Sequence, residues 1–228
     1  MDPAPQAPRP AATVIVLRAG GRGGSPELFM VRRSSRSAFM PDALVFPGGK
    51  VDAADGADED GAFVAAARRE CQEEAGLDLP ATALHWFDTW VTPEAEPRRF
   101  NARFFLAQLP AGAGAEAAAD GHETHEGRWA SAQTFVDRWL AGEVDLPPPT
   151  ACTLLRLAAP GWEGLLQWTP ERARPPILPK FSLPAMAVVM PHDPEYESLP
   201  GAGAPPCDRL EGMPRRFVRG DKIWRPVS

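Results

Sequence analysis

Between Phe46 and Leu77 the chain reads FPGGKVDAADGADEDGAFVAAARRECQEEAGL. A short apolar strand, Ala43 to Phe46, stops at a Pro-Gly-Gly turn that ends with Gly49. After an acidic linker, residues 62–75 contain no glycine or proline and are rich in alanine, and Gly76 follows at once. This pattern predicts a glycine turn followed by a helix over residues 62–75.

The last turn of this predicted helix concentrates negative charge. Glu70, Glu73 and Glu74 are spaced i, i+3 and i+4, so their carboxylates share one face of the helix. On the same face, Ala66 and Ala67 lie one turn earlier and Phe63 lies two turns earlier. Three glutamates on a helix face are most often only a solvated surface. A stripe that begins apolar and ends acidic indicates instead carboxylates at the lip of a cleft.

A hard divalent cation would relieve the repulsion between these carboxylates. Magnesium binds oxygen ligands, usually one or two carboxylates together with waters and substrate phosphates. The Gly48-Gly49 pair lets the backbone come close to such a metal or to a phosphate, because no side chain stands in the way. Arg69 lies beside the carboxylates and is placed to orient one of them by a forked hydrogen bond.

The combination resembles the Nudix box, G-x5-E-x7-R-E-U-x-E-E-x-G-U, in which U is a bulky apolar residue. The matching positions are Gly49, Arg69, Glu70, Cys71, Glu73, Glu74, Gly76 and Leu77. Two departures stand out. Asp55 lies six places after Gly49 where the box has glutamate, and 13 residues separate it from Arg69 where the box has seven. Asp52 is the alternative acid for that role, and a third possibility is that neither serves.

The resemblance implies a Nudix hydrolase with an α+β fold, in which a mixed β-sheet is sandwiched between helices. It implies Mg2+ or Mn2+ as cofactor and Glu70 and Glu74 as the main metal ligands, with Glu73 close by and a carbonyl of Gly48 or Gly49 as a further ligand. Arg69 completes the expected catalytic set, and the choice of general base stays open.

A further acid from outside the helix is also expected. The candidates are Asp55, Glu123 and Glu126, the last two just ahead of Arg128-Trp129. The alternative interpretation is that Glu123 and Glu126 are exposed loop acids.

Segments outside the box are similar to the peroxisomal-type coenzyme A diphosphatase branch of the family. They are Arg32-Arg33-Ser34, Trp90-Val91-Thr92-Pro93, residues 99–105, Trp129 and residues 146–150. This likeness implies coenzyme A or acyl-CoA as substrate, with 3′,5′-ADP and a phosphopantetheine as products.

The substrate-binding residues expected from this likeness are Arg32, Arg33 and Arg99 for phosphates and Phe100 for adenine, with Trp86 or Trp90 as alternatives for adenine. Competing interpretations place the aromatic residues in the core and the arginines in solvent.

Two alternative functions remain. One is the same hydrolysis on another nucleoside diphosphate derivative, such as ADP-ribose, NADH, a nucleotide sugar or an oxidised nucleotide. The other is a Nudix-fold protein that binds a ligand without catalysis. The Asp55 substitution and the long insertion are the features that support this alternative.

The amino-acid composition limits the possible partners and cellular compartment of the protein. The 228 residues carry a formal net charge of −6, which argues against binding to a nucleic acid polymer and leaves a small diphosphate molecule as the expected partner. The 3 cysteines show no disulfide or zinc spacing, which favours the cytoplasm. No apolar run approaches the roughly 20 residues of a membrane span. A homodimer is the assembly expected for the family.

We predict three segments along the chain. Residues 1–10 are proline-rich and are expected to be a disordered tail, and residues 11–159 are expected to form the Nudix domain. Residues 160–228 are rich in proline and glycine. Roughly 70 such residues make too thin a core for independent folding, so they are expected to form an extension with extra strands packed on the domain.

Overall fold

A computed structural model describes residues 5–20, 25–37, 40–110, 113–114, 117–122, 124–161, 175–205 and 208–227. Within these ranges the chain forms a large mixed sheet, three helices and a second, smaller sheet near the C-terminus.

The main sheet has seven strands with β1 at its centre. Its strands are β1 (Arg9–Arg18), β2 (Glu27–Arg33), β3 (Leu44–Val45), β4 (Gly48–Lys50), β5 (His85–Val91), β6 (Phe100–Gln108) and β7 (Thr124–Ser131). Strand β1 pairs antiparallel with β2 and β4 and parallel with β6. The β-branched run Val14-Ile15-Val16 in β1 is fully buried, because both faces of the sheet are covered.

Helices cover both faces of this sheet. They are α1 (Glu59–Ala75), α2 (Ala132–Leu140) and α3 (Pro148–Ala158). Successive strand residues face opposite sides, so Val14 and Phe29 pack with α1, whereas Ile15 and Met30 pack with α2 and α3. The predicted α+β fold, with a mixed sheet between helices, is confirmed.

Local capping sets both ends of α1. The helix begins three residues earlier than predicted because the side chain of Asp58 accepts a hydrogen bond from the Gly61 N–H at 2.7 Å. It ends where predicted, since Gly76 adopts a left-handed conformation with φ 68° and its N–H bonds to the carbonyls of Cys71 and Gln72.

Two further element boundaries are well defined. Ser131 caps α2, accepting a hydrogen bond from the Thr134 N–H at 3.1 Å. Strand β1 begins at Arg9, where the sequence predicted Ala11, so the last two residues of the expected tail belong to the sheet. Residues 1–4 of the predicted tail lie outside the described residues.

The C-terminal strands form a second, antiparallel sheet in the order β11-β10-β9-β8. These strands are β8 (Lys180–Ser182), β9 (Ala187–Val189), β10 (Arg216–Gly220) and β11 (Ile223–Val227). Val188, Phe217 and Trp224 bury their side chains in one cluster with Trp139 of α2 and Leu154 of α3. The extra strands expected after residue 160 are therefore present, while the division of the chain at that residue stays a prediction.

A buried carboxylate ties the C-terminal part to the main sheet. The side chain of Asp88 in β5 is fully buried and accepts a hydrogen bond from Arg156 of α3 at 2.8 Å. Arg209, from the C-terminal part, also donates to Asp88. In the described ranges, no helix is both long and apolar enough to cross a membrane.

Candidate active site

A cavity of about 790 Å³ lies where the two sheets meet the acidic end of α1. Residues of β4, the last turns of α1, β5 and β6 contribute to its wall. The C-terminal strands contribute Val188 and Trp224 to the same wall. The volume falls within the range of about 300–1,000 Å³ typical of small-molecule sites.

The side chain of Glu74 is held under the glycine turn. Glu74 is 4% exposed, and its Oε2 accepts a hydrogen bond from the Gly48 N–H at 2.9 Å. A buried carboxylate is costly without such a donor. Gly48 itself must lack a side chain, since a Cβ there would lie 2.4 Å from the Ala12 carbonyl oxygen of β1. Close pairing of β4 with β1 therefore places this N–H over the carboxylate.

The carboxylate of Glu70 rests against the next glycine. A Cβ on Gly49 would lie 2.3 Å from Glu70 Oε1, a distance that real Cβ atoms essentially never show. The Glu70 side chain is 13% exposed and lines the cavity. The missing Cβ at Gly49 makes room for Glu70, and the Gly48 N–H holds Glu74, so two carboxylates from one helix turn lie beside the same bend.

Arg69 connects the acidic groups around the turn. Its guanidinium donates to Asp55 at 3.1 Å through two nitrogens, to Glu70 at 2.8 Å and to Glu73 at 3.1 Å. It also donates to the Lys50 carbonyl oxygen at 2.9 Å. The hydrogen bond from Arg69 lowers the pKa of Asp55 below its usual value, against the opposing effect of burial. The same bond raises the pKa of Arg69, so this ion pair keeps its charge across the physiological range.

The structure places the whole predicted catalytic set on one cavity wall. Gly49, Arg69, Glu70, Glu73 and Glu74 all line the cavity. The stripe on α1 therefore ends at a cleft, as the sequence predicted. The three glutamates differ in solvent exposure. The Glu73 side chain is 58% exposed, whereas those of Glu70 and Glu74 are largely buried.

Two of the three candidates for an extra acid, Asp55 and Glu126, do not line the cavity. Asp55 binds Arg69 with both carboxylate oxygens, and Asp52 is the acid of this linker that does line the cavity. Glu126 accepts from Arg32 at 3.2 Å and pairs with Arg128 at 2.9 Å. Burial raises the pKa of Glu126, but these arginines outweigh it and the pKa is lowered. Glu123 lies outside the described residues.

Two of the four predicted substrate-binding residues line the cavity, Arg33 and Phe100. Arg32 does not, because consecutive strand residues face opposite sides of the sheet and its guanidinium reaches Glu126 and the Asp42 carbonyl instead. Of the predicted pair, Arg33 therefore lines the cavity and Arg32 does not, while binding of a substrate by either one stays a prediction.

Arg99 does not reach the cavity either. It is 7% exposed and donates to the carbonyl oxygens of Thr92 at 3.1 Å and Gln6 at 2.9 Å. Its guanidinium is therefore occupied in holding the segment before β1 against the loop after β5. Its burial, which the sequence did not reveal, places the guanidinium in contacts inside the fold, and the expected phosphate contact stays a prediction.

Sequence reasoning missed several wall residues. Lys50 follows Gly49 directly and lines the cavity, so its place in the motif was an available signal. Val188 and Trp224 line it from the C-terminal sheet. No local pattern marks them, because their position depends on how the second sheet packs.

The donor set at the turn fits a hard divalent ion. The described residues contain no group of three or more histidine, cysteine, aspartate or glutamate side chains that is arranged to hold a metal ion. Magnesium does not require such a cage, since it takes one or two carboxylates and fills its other positions with water and phosphate. Glu70 and Glu74, beside a bend that a Cβ would fill, supply that number of carboxylates.

Comparison with known proteins agrees with this geometry. The model of the NUDIX domain matches residues 7–146. A Caenorhabditis elegans protein that carries the name nudix hydrolase 7 is 30% identical over 189 residues, which is 66% of this chain and 60% of that protein. The acyl-coenzyme A diphosphatase NUDT19 of Gallus gallus is 51% identical over 55 residues, or 21% of this chain and 15% of that protein.

One solved structure extends the likeness to the fold. The crystal structure of a NUDIX hydrolase from Alicyclobacillus acidocaldarius is 25% identical, with a TM-score of 0.59, and the match covers 72% of this chain and 97% of that one. The chain spans less than two thirds of the length of either curated relative. Since the domain match takes in the glycine turn, all of α1 and every strand of the main sheet, the chain belongs to the Nudix family.

Proposed function

We propose that this protein is a divalent-metal-dependent hydrolase that cleaves the diphosphate bond of coenzyme A or acyl-CoA, releasing 3′,5′-ADP and a phosphopantetheine. The observation that carries the hydrolase proposal is the packing of Glu70 and Glu74 against the Gly48-Gly49 bend on the wall of the cavity. Family membership supports the same reaction class.

Nudix hydrolases generally need divalent metal ions, and in this chain Glu70 and Glu74 would hold Mg2+ or Mn2+. Glu73 and a carbonyl of the glycine bend are the further ligands that the family resemblance implies. When bound, such an ion neutralises the diphosphate, polarises the phosphoryl group and makes a coordinated water more acidic.

The protein's own groups prepare this turn for an anionic substrate. The Gly48 N–H fixes one carboxylate and Arg69 orients the other, so neither has to be ordered when substrate arrives. Asp55 holds Arg69 in place from the far side. Lys50 and Arg33 on the cavity wall offer positive charge to the phosphates.

The choice of coenzyme A rests on two supports. The short segment of high identity to the Gallus gallus acyl-coenzyme A diphosphatase is the first. The second is the cavity wall, which combines cationic residues with the aromatic residues Trp90 and Phe100, a set suited to an adenine nucleotide with an organic arm.

The test is product analysis with purified protein and Mg2+ or Mn2+, using coenzyme A, ADP-ribose and NADH as substrates. We expect 3′,5′-ADP from coenzyme A. Glu70→Gln and Glu74→Gln should each lower kcat by about 100-fold or more, the loss typical of removing one group from a catalytic set. Glu126→Gln is the matched control, since that carboxylate pairs with arginines and does not line the cavity.

Each alternative has its own outcome. Turnover of ADP-ribose or NADH without turnover of coenzyme A would reject the substrate and keep the hydrolase. Wild-type kcat in both glutamine variants would overturn the proposed catalytic set. Absence of turnover of all three, with equally tight binding by wild type and variants, would favour a ligand-binding protein.

A further inference from the structure

The N-terminus of α3 opens onto the cavity. Pro147 is the N-cap of this helix, Pro148 and Pro149 follow it, Thr150 comes next, and all four line the cavity. Because proline has no N–H, the first backbone donor of the helix is the N–H of Thr150. The aligned peptide dipoles place about half a positive elementary charge at a helix N-terminus. The helix therefore presents its positive end to the cavity through a single residue that can donate hydrogen bonds.

Both donors of Thr150 are without a partner. In the described part of the chain, no carbonyl or side chain accepts a hydrogen bond from its N–H or its hydroxyl, whereas the next N–H, that of Ala151, donates to the Pro147 carbonyl at 2.9 Å. Thr150 is 4% exposed, so its polar atoms are almost entirely withdrawn from bulk water. Such donors gain an acceptor only from a group inside the cavity.

Access to the cavity distinguishes Thr150 from another threonine of the same helix. The Oγ1 of Thr153, one turn later, also lacks a partner among the described residues, but this atom is enclosed and Thr153 does not line the cavity. A missing partner alone therefore does not indicate a ligand. The Oγ1 of Thr150 is not enclosed in this way, and it lies at the positive end of the helix. The open hydroxyl and the helix end together suit an anionic oxygen.

The acid that precedes this helix end is already neutralised. The Oδ1 of Asp145 accepts a hydrogen bond from the Trp224 N–H at 2.8 Å, and its Oδ2 lies 3.4 Å from a guanidinium nitrogen of Arg219. Asp145 does not line the cavity. Its charge is therefore spent on the packing of β10 and β11 and does not face a ligand at Thr150.

The acidic turn and the start of α3 are two separate places in one cavity. Helix α1 packs on one face of the main sheet and α3 on the other, and the cavity is lined by the C-terminal end of α1 and by the N-terminal end of α3. A diphosphate bound through a metal at Glu70 and Glu74 therefore leaves Thr150 for another group of the same molecule. The volume of about 790 Å³ has room for a molecule that reaches both places.

We infer that Thr150 and the N-terminus of α3 form a second anion subsite, which binds the 3′-phosphate of the substrate through the Thr150 N–H and hydroxyl. This inference rests on the proposed function, because coenzyme A carries a phosphate apart from its diphosphate. ADP-ribose and NADH have no such phosphate. Thr150 is thereby a residue that determines specificity for coenzyme A.

The experiment compares two substrates that differ only in this phosphate, coenzyme A and 3′-dephospho-coenzyme A. Steady-state kinetics with Mg2+ are measured for the wild type and for Thr150→Val, which replaces the hydroxyl by a methyl group. We expect KM for coenzyme A to rise by about 10- to 100-fold, the value of one hydrogen bond to a charged group. The kcat should stay close to that of the wild type, because the contact is the same in the ground state and the transition state. The KM for 3′-dephospho-coenzyme A should not change.

Two further variants separate recognition from packing. Thr153→Val removes the enclosed hydroxyl of the same helix and should leave KM for both substrates unchanged. Thr150→Ser keeps the donor and should keep the discrimination between the two substrates. General damage to the helix would instead raise KM for both substrates alike.

Binding to the wild-type chain gives a readout that depends neither on catalysis nor on the folding of a variant. The chain is labelled with 15N at threonine and titrated with 3′,5′-ADP and with 5′-AMP, and the spectrum of Thr150→Ser identifies the Thr150 amide resonance. We expect 3′,5′-ADP to move this resonance downfield and 5′-AMP to leave it in place. In Thr150→Val, the Kd of 3′,5′-ADP should approach that of 5′-AMP.

Failure of the inference and failure of the proposed function look different. If Thr150→Val changes KM for both substrates equally or for neither, the inference is overturned even when coenzyme A is hydrolysed. The same holds if 5′-AMP moves the Thr150 amide resonance as far as 3′,5′-ADP does, or if neither nucleotide moves it. If 3′,5′-ADP alone moves this resonance but coenzyme A is not hydrolysed, the subsite is supported and the proposed function is rejected.

Discussion

The contact between Gly49 and Glu70 allows a sharp test of the proposed metal site. In Gly49→Ala the new Cβ would meet Glu70 Oε1 at 2.3 Å, and ordinary van der Waals contact begins at 3.4 Å, so the carboxylate has to retreat by about 1 Å. A misplacement of about 1 Å in a catalytic set can cost 100-fold in rate. We therefore expect Mn2+ binding to weaken and kcat/KM to fall by about two orders of magnitude.

The same substitution should leave the protein folded. Gly49 has no positive φ, so alanine is compatible with its backbone. Replacing a glycine at such a position stabilises by about 0.4–1 kcal/mol through the unfolded chain. This offsets part of the roughly 1–3 kcal/mol that overpacking against Glu70 costs. Thermal unfolding should accordingly show a modest loss of stability beside the large loss of activity.

The assay measures Mn2+ affinity by isothermal titration and kcat/KM by product analysis, with two control proteins. Gly203→Ala is the matched control, since a Cβ there meets no atom within 4 Å and its φ is not positive. Glu70→Asp in the Gly49→Ala background relieves the clash and should restore stability without restoring activity. Activity of Gly49→Ala within about 3-fold of wild type would refute the reasoning, because the predicted displacement corresponds to about 100-fold.

The remaining predictions concern stability. Asp88→Asn should lower the free energy of unfolding in urea by about 3–5 kcal/mol, because Arg156 and Arg209 lose their buried counter-charge; a loss below about 1 kcal/mol would contradict this account. Asp193 accepts two hydrogen bonds from Arg216, at 2.6 and 2.9 Å, which hold its pKa below the ordinary value of 3.8. Its contribution to stability is therefore complete above pH 3.8 and is lost as the pH falls through the lower, folded pKa. Thermal unfolding between pH 2 and 7 should show less acid sensitivity in Asp193→Asn, and equal sensitivity would speak against the ion pair.

Local rules were sufficient for the end of α1 and for the acidic turn. Helix propensity, the stop at Gly76 and the spacing of Glu70 and Glu74 act over a few residues, so they can be read along the chain. The start of α1 at the Asp58 cap was missed by three residues. The grouping of these carboxylates with Gly49 on one cavity wall was predicted from the same stretch of sequence.

Contacts between residues that are distant in the chain determine which other side chains line the cavity. Strand register decides which of Arg32 and Arg33 faces the cavity. Arg99 donates instead to the carbonyl oxygens of Thr92 and Gln6, and no local sequence pattern predicts this contact. Trp224 reaches the cavity only because Asp145 and α2 hold its backbone there. Side-chain spacing within a helix is fixed by 3.6 residues per turn, whereas the packing of one sheet on another depends on many weak contacts between distant residues. The sequence therefore revealed the acidic turn, and only the folded chain revealed what surrounds it.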